Sequence, residues 1–225
     1  MTIEEYFGDW KRVLDIKEAD RLVKQVCNAS ICPQPKDIFK AFRLCPLNSL
    51  RMVILGQDPY PNLRNNKPVA TGIAFGNSKD TPEKSYSPSL KVLIESVIDF
   101  TIPHQHINFD PSLEKWEEQG VLMLNSALSC TTGKTGSHAL MWRPFIKSFL
   151  INLSKTSTGI VYMLMGDSAQ SFEYCIDKKY NHIIRTRHPS YYARTKEPMP
   201  SDIWREANNI LTGLNGYGIE WYTEY

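Results

Sequence analysis

The sequence predicts a three-layer α/β fold, with a central four-stranded, mostly parallel sheet flanked by helices on both faces. Three observations carry that expectation. Four short apolar runs, Arg51–Leu55, Val121–Leu124, Ile160–Met165 and His182–Thr186, are apolar enough to be strands buried on both faces. Segments with the 3.6-residue stripe of buried helices lie between them, and strand-then-helix repetition is the signature of a parallel sheet with helices on each side. At several run ends the apolar pattern gives way to glycine or a polar side chain, as at Gly56, Asn125 and Gly166.

Taken in order, Thr2-x-x-Glu5 is a capping-box pattern that predicts a helix running through Trp10 and Val13. Helical stretches follow around Asp20–Val26 and Ile38–Leu44, the latter ended by Pro46. A polar loop over 61–70, rich in Asn and Pro, separates the first strand from Thr71-Gly-Ile-Ala-Phe75. Ser87-Pro-Ser89 opens a helix whose Leu90, Leu93, Ile94, Val97 and Ile98 form a buried face. Asp110-Pro111 predicts a helix start with proline at the first position, and the helix reaches Gln119 before Gly120. Trp142, Phe145, Ile146, Phe149, Leu150 and Leu153 make a further core stripe, and Gly166 turns into a helix carrying Ala169 and Gln170. No repeat or low-complexity tract interrupts the pattern, so the expectation is one domain over residues 1–225.

With 225 residues and 42% hydrophobic content, the chain can bury a sizeable core. A net charge of +2, from 26 basic and 24 acidic residues, neither demands nor excludes nucleic acid; a binding surface would need local clustering. Cys27, Cys32, Cys45, Cys130 and Cys175 are odd in number and form no Cys-x-x-Cys pair, which predicts reduced thiols in a cytoplasmic compartment. Acidic Glu4, Glu5 and Asp9, and the lack of any long apolar run, argue against a secretory leader or a membrane span.

Polar chemistry concentrates at the strand ends. Gly56-Gln57-Asp58-Pro59-Tyr60-Pro61 offers an amide, a carboxylate and a phenol in four residues, at the place where open α/β sheets bind ligands. The competing reading is an ordinary turn with Asp58 as a helix cap. Taken alone, Asn125 at the end of a second strand reads as a turn former and Phe75 as core, but two strands ending in polar groups suggest one shared pocket. Arg185, Arg187, His188, Arg194 and Lys196 cluster with Tyr191 and Tyr192 and contain no acid, a combination suited to a DNA backbone and an unstacked base, or to a solvated face. Gly133-Lys-Thr135 lacks the upstream glycine of a nucleotide-binding loop, since residue 128 is Leu, and Ser112-x-x-Lys115 with Lys134-Thr-Gly136 lacks the third motif of a penicillin-binding enzyme. His104-x-His106 has no third ligand and predicts no metal site.

The ordered set Val53–Tyr60, Gly72–Phe75, Gly120–Asn125, Val161–Gly166 with Ala169-Gln170, and Arg187-His-Pro-Ser190 resembles the uracil-DNA glycosylase family in its family 1 form. The resemblance covers roughly residues 35–210. It implies excision of uracil from single- or double-stranded DNA without metal or cofactor, by a monomer that flips the base out. Asp58 would stabilise the sugar cation and orient water, and a neutral His188 would donate to uracil O2. Glycosidases usually need a second carboxylic acid, but uracil leaves as a stabilised anion. Phe75 would stack on the base, Asn125 would read its edge, Tyr60 would exclude the thymine methyl, and Gln57 would add backbone contacts. Ser89, Ser190, Tyr191, Tyr192 and Arg194 would meet DNA, with Tyr192 at the position of a leucine wedge. Family members usually carry His at Pro61, Ser at Asp167 and Pro-Leu-Ser at Tyr191-Tyr192-Ala193, so the phosphate contacts are expected to differ. A DNA-mimicking inhibitor protein is a further implied partner, and the competing function is a non-catalytic DNA-binding or replication accessory protein on the same fold.

Overall fold

The computed structural model describes residues 3–27, 29–98 and 107–224. Thr2 of the capping box and the His104-x-His106 pair lie outside the described residues. The chain opens with α1 (Ile3–Phe7), which does not run on to Val13. Gly8 adopts φ +50°, and a 3-10 turn, Gly8–Arg12, replaces the α-helix while still burying Trp10. Next come α2 (Ile16–Val26), capped by the Asp15 carboxylate on the Glu18 N–H at 3.0 Å, and α3 (Lys40–Leu44).

The first strand of the main sheet, β1 (Met52–Gly56), is buried throughout. The loop after it contains a two-stranded hairpin, Leu63–Arg64 against Lys67–Pro68, which turns through Asn65 and Asn66 at φ 49° and 58°. Two consecutive left-handed residues match the twist of a tight hairpin, and asparagine tolerates that conformation better than most side chains. Beyond α4 (Pro88–Val97), the next helix is shorter than Asp110-Pro111 suggested. It spans Glu114–Glu118 (α5), because Leu113 sits in the left-handed region at φ 60°. Asp110 instead closes a turn, its carboxylate accepting from the N–H groups of Ser112 at 3.0 Å and Lys115 at 3.2 Å.

The remainder alternates regularly: β2 (Val121–Asn125), α6 (Ala139–Thr156), β3 (Val161–Met165), α7 (Asp167–Gln170), β4 (His182–Thr186), α8 (Pro189–Thr195) and α9 (Asp202–Asn215). The segment after Thr186 was expected as a basic loop. It forms α8, with Pro189 at the first turn and His188 as the N-cap. The sequence reading had no element at α9, which buries Ile203, Trp204, Ala207 and Leu211 and ends at Gly216 with φ 84°.

The strands order β2-β1-β3-β4, all parallel, with Met52 opposite both Val121 and Val161, and Val161 opposite His182. Period-two alternation divides the side chains between two cores. Val53, Leu55, Leu122, Leu124, Tyr162 and Leu164 face one cluster, shared with α2, α3 and α6. Met52, Ile54, Val121, Met123, Met163 and Ile184 face the other, shared with α4, α5 and α9. Each fully buried aliphatic chain contributes about 1.5–3 kcal/mol. The strand axes are thereby fixed, and so are the positions of the residues at their carboxyl ends.

Candidate active site

The site is built where β1 and β2 end side by side. A Cβ on Gly56 would lie 2.6 Å from Asn125 Oδ1 and 2.8 Å from Phe75 Cζ, so only glycine lets those two side chains close over the strand end. Past the last paired residues the segments remain joined. Ser126 N–H donates to Gly56 O at 3.0 Å, Ala127 N–H to Gln57 O at 3.0 Å, and Ser126 Oγ to Gln57 O at 2.8 Å. The Gln57 carbonyl is therefore taken up internally.

One cavity of about 170 Å³ is lined by Gln57, Asp58, Tyr60, Phe75, Ser89, Asn125, His188 and Ser190, among others. Eight of the eleven residues singled out in the sequence thus meet at one place, drawn from segments after β1, β2 and β4 and from the start of α4. Asp58 Oδ2 accepts the Gly136 N–H at 2.6 Å. Burial raises the Asp58 carboxyl above the ordinary range, and this hydrogen bond opposes the rise.

The Tyr60 hydroxyl donates to the Phe75 carbonyl at 2.9 Å, and burial raises its pKa, keeping it a neutral donor. Phe75 has φ 64°, an uncommon conformation for an aromatic residue. Its ring is buried, and its centroid lies 5.4 Å from that of His188 with the planes inclined by 46°. Among the described residues nothing bonds to the Asn125 side-chain amide, so its donor and acceptor are open to the cavity it lines.

His188 caps α8, and its Nδ1 accepts from the Ser190 N–H at 3.2 Å and from the Ser190 hydroxyl at 2.8 Å. A ring nitrogen that accepts a backbone N–H carries no proton, so the neutral ring bears its hydrogen on Nε2. Burial lowers the His188 pKa to about 4. A positive ring at a helix N-terminus would also oppose the helix dipole. Gly166, at φ 86°, makes room for this arrangement, since a Cβ there would stand 2.7 Å from His188 Cβ.

The predicted DNA-contacting residues divide. Ser89, the second residue of α4, is buried at the cavity wall, whereas Ser190 is exposed at its rim. Tyr192 does not project as a wedge: it is 8% exposed, belongs to the core cluster beneath α8, and its hydroxyl lies 3.3 Å from Thr186 Oγ1. The reason is helical geometry. Tyr192 shares the inner face with buried Pro189, three residues earlier, while Tyr191 is half-buried at the edge of the same core, its ring 5.4 Å from that of Tyr192 and its other side toward Arg187 and Arg194. Those guanidiniums sit 4.3 Å and 6.0 Å from the Tyr191 ring centroid.

The cationic cluster is also smaller than the sequence suggested. Arg185 is paired in a fork with Glu173 at 2.6 Å, an acid the fold brings from 12 residues upstream. Among the departures, Asp167 is exposed in the first turn of α7, where the helix dipole favours an acid, and Pro61 lines the cavity while its carbonyl accepts the Gly133 N–H at 2.8 Å.

Sequence reasoning missed the loop that closes the site opposite α8. Thr135 lines the cavity and Gly136 holds Asp58. His138 anchors the loop, with Nδ1 2.9 Å from Ser129 Oγ and Nε2 3.1 Å from Thr131 Oγ1. The visible signal was the glycine pair 133 and 136 just ahead of α6. Among the described residues no cluster of three or more His, Cys, Asp or Glu could hold a metal, and no helix is long and apolar enough to cross a membrane.

Fold and site together define an α/β protein with a small, largely apolar pocket at the carboxyl ends of parallel strands, where one carboxylate and one neutral histidine share the wall. The family model of the Uracil DNA glycosylase superfamily matches residues 42–212. A uracil-DNA glycosylase of Campylobacter jejuni is 34% identical over 95% of this chain and 92% of its own, and one of Fusobacterium nucleatum is 29% identical over 96% of each. The crystal structure of mimivirus uracil-DNA glycosylase superposes with a TM-score of 0.76 at 24% identity, covering 98% of this chain and 93% of that one. The chain belongs to the uracil-DNA glycosylase superfamily.

Proposed function

We propose that this protein hydrolyses the N-glycosidic bond of deoxyuridine in DNA, releasing uracil and leaving an abasic site. The observation that carries the reading is that Asp58 and His188 line one cavity with Phe75 and with Asn125, whose side-chain amide has no partner among the described residues. Breaking the bond develops positive charge on the sugar and negative charge on the base. Asp58, held by Gly136 N–H, answers the first and orients the attacking water; the neutral Nε2–H of His188 answers the second at uracil O2. A neutral donor suffices because the leaving group is a stabilised anion rather than an alkoxide.

Recognition uses the same wall. Phe75 stacks on a flipped base, Asn125 pairs with its Watson–Crick edge, and Tyr60, tied to Phe75, leaves no room for a methyl at C5. Gln57 meets the base through its N–H and side chain, since its carbonyl is engaged. Ser89, Ser190, Tyr191 and Arg194 line or flank the way in for single- or double-stranded DNA, and an acidic inhibitor that mimics DNA would use the same rim. A variant of the mimivirus enzyme has been solved in complex with UGI. We place the protein in the cytoplasm as a monomer of one domain, residues 1–225; the two cores packed on one sheet support the single domain, and the free thiols of Cys32, Cys45, Cys130 and Cys175 support a reducing compartment.

The test is incubation with a single-stranded oligonucleotide carrying one uracil, in EDTA, followed by alkali. A strand break at the uracil is expected. No break would remove the enzymatic reading and leave a DNA-binding accessory role.

A further inference from the structure

The side chains of Lys134 and Thr135 have no part in the chemistry above, yet their loop is fastened to the catalytic segment at two points. Gly133 N–H bonds Pro61 O at 2.8 Å, and Gly136 N–H bonds the Asp58 carboxylate at 2.6 Å. Between them, Lys134 is exposed and forms no ion pair among the described residues. Thr135 lines the cavity, and neither its N–H nor its hydroxyl has a partner among the described residues. A Cβ at Gly133 or Gly136 would meet nothing within 4 Å, so the space over the loop is open to another backbone.

Topology sets where this loop stands. It follows β2, at one edge of the sheet, whereas Arg187, Ser190 and Arg194 follow β4, at the other edge, with β1 and Asp58 between. Edge strands three spacings apart are separated by roughly 14 Å. That is about four nucleotide rises along one strand of DNA at ~3.4 Å each. A strand laid across the cavity therefore passes both loops.

We propose that Lys134 and Thr135 form a phosphodiester-binding site on the β2 side of the mouth, the ammonium, the backbone N–H and the hydroxyl holding one phosphate while the α8 side holds another. The inference rests on the reading that the cavity takes a base from DNA. It also gives the chain a phosphate donor beside Pro61, whose own side chain has none. Cationic contacts of this kind add affinity without choosing sequence, and they release counterions.

Lys134→Gln, Lys134→Arg and Thr135→Val test this on a single-stranded uracil oligonucleotide, with binding followed separately on one carrying an uncleavable abasic analogue. Lys134→Gln should raise KM and Kd about three- to tenfold and leave kcat within about twofold, and the slope of log K against log salt should shrink by about 0.7, one single-strand contact. Lys134→Arg should restore most of the affinity, and Thr135→Val should weaken binding less than Lys134→Gln. An unchanged Kd and slope would overturn the proposal, and so would a fall in kcat at constant Kd, which would make the loop only a support for Asp58. If the unaltered protein releases no uracil while Lys134→Gln still flattens the salt dependence, the glycosylase reading fails and the phosphate site stands.

Discussion

The hydroxyl of Tyr60 donates to the main-chain carbonyl of Phe75 at 2.9 Å, joining the residue that walls the cavity to the residue that floors it. Phe75 is left-handed at φ 64°, and such a conformation persists only where its surroundings hold it. Tyr60→Phe should lose about 1 kcal/mol of stability and raise KM for uracil DNA, because the Phe75 main chain loses the donor that holds its left-handed conformation. Tyr60→Ala should in addition release thymine from thymine-containing oligonucleotides, which is read by alkali cleavage. If thymine stays excluded in Tyr60→Ala, the methyl-excluding wall lies elsewhere.

Asp58→Asn should lower kcat by about 10³-fold or more and leave Kd for uracil DNA nearly unchanged, since the lost charge acts on the transition state. The Asn amide oxygen can still accept the Gly136 N–H. Because burial of the Asp58 carboxylate disfavours its charged form, the same variant should melt at a higher temperature at neutral pH. Parallel loss of binding and turnover would assign Asp58 a structural role.

The pH profile separates a neutral His188 from a cationic one. With its pKa lowered to about 4, His188 is uncharged across the neutral range, so kcat/KM should rise from pH 4 and stay level to about pH 8. The sign for stability follows from proton counting. Between the ordinary histidine value of 6.5 and about 4, the unfolded chain binds a proton that the folded ring refuses, so this group's contribution to stability falls as pH falls. Melting temperatures of His188→Gln should therefore gain on those of the unaltered protein as pH drops through that window. A turnover that declines from pH 5 to 7 would require a cationic His188.

With Tyr192 buried, Tyr191, half-buried and carrying the Arg187 guanidinium at 4.3 Å, is the aromatic expected to meet DNA. Tyr191→Ala should slow uracil release from duplex more than from single strands, where no stack has to open, and base–aromatic contacts of about 1–3 kcal/mol set the scale. Tyr192→Phe should change neither rate by more than about twofold, because only a weak hydroxyl contact to Thr186 is lost. The reverse ranking would mean that α8 rearranges on DNA to turn Tyr192 outward.

The sequence alone determined the sheet and the addresses of its chemistry. Uninterrupted runs such as Met52–Leu55 and Val121–Leu124 are legible because burial on both faces leaves a composition no other element has. The polar residues that break those runs, Asp58 and Asn125, had to stand at strand ends. What only the tertiary structure decided depends on contacts between distant segments. The partner of Asp58 is 78 residues away at Gly136, and Arg185 is neutralised by Glu173 across a turn of chain. Two adjacent tyrosines were given different burial, Tyr192 inside the core and Tyr191 at its edge, once residues 189–195 became a helix rather than a loop. Local pattern fixes period and polarity; which side chain meets which, and which way it faces, follows from how the cores pack.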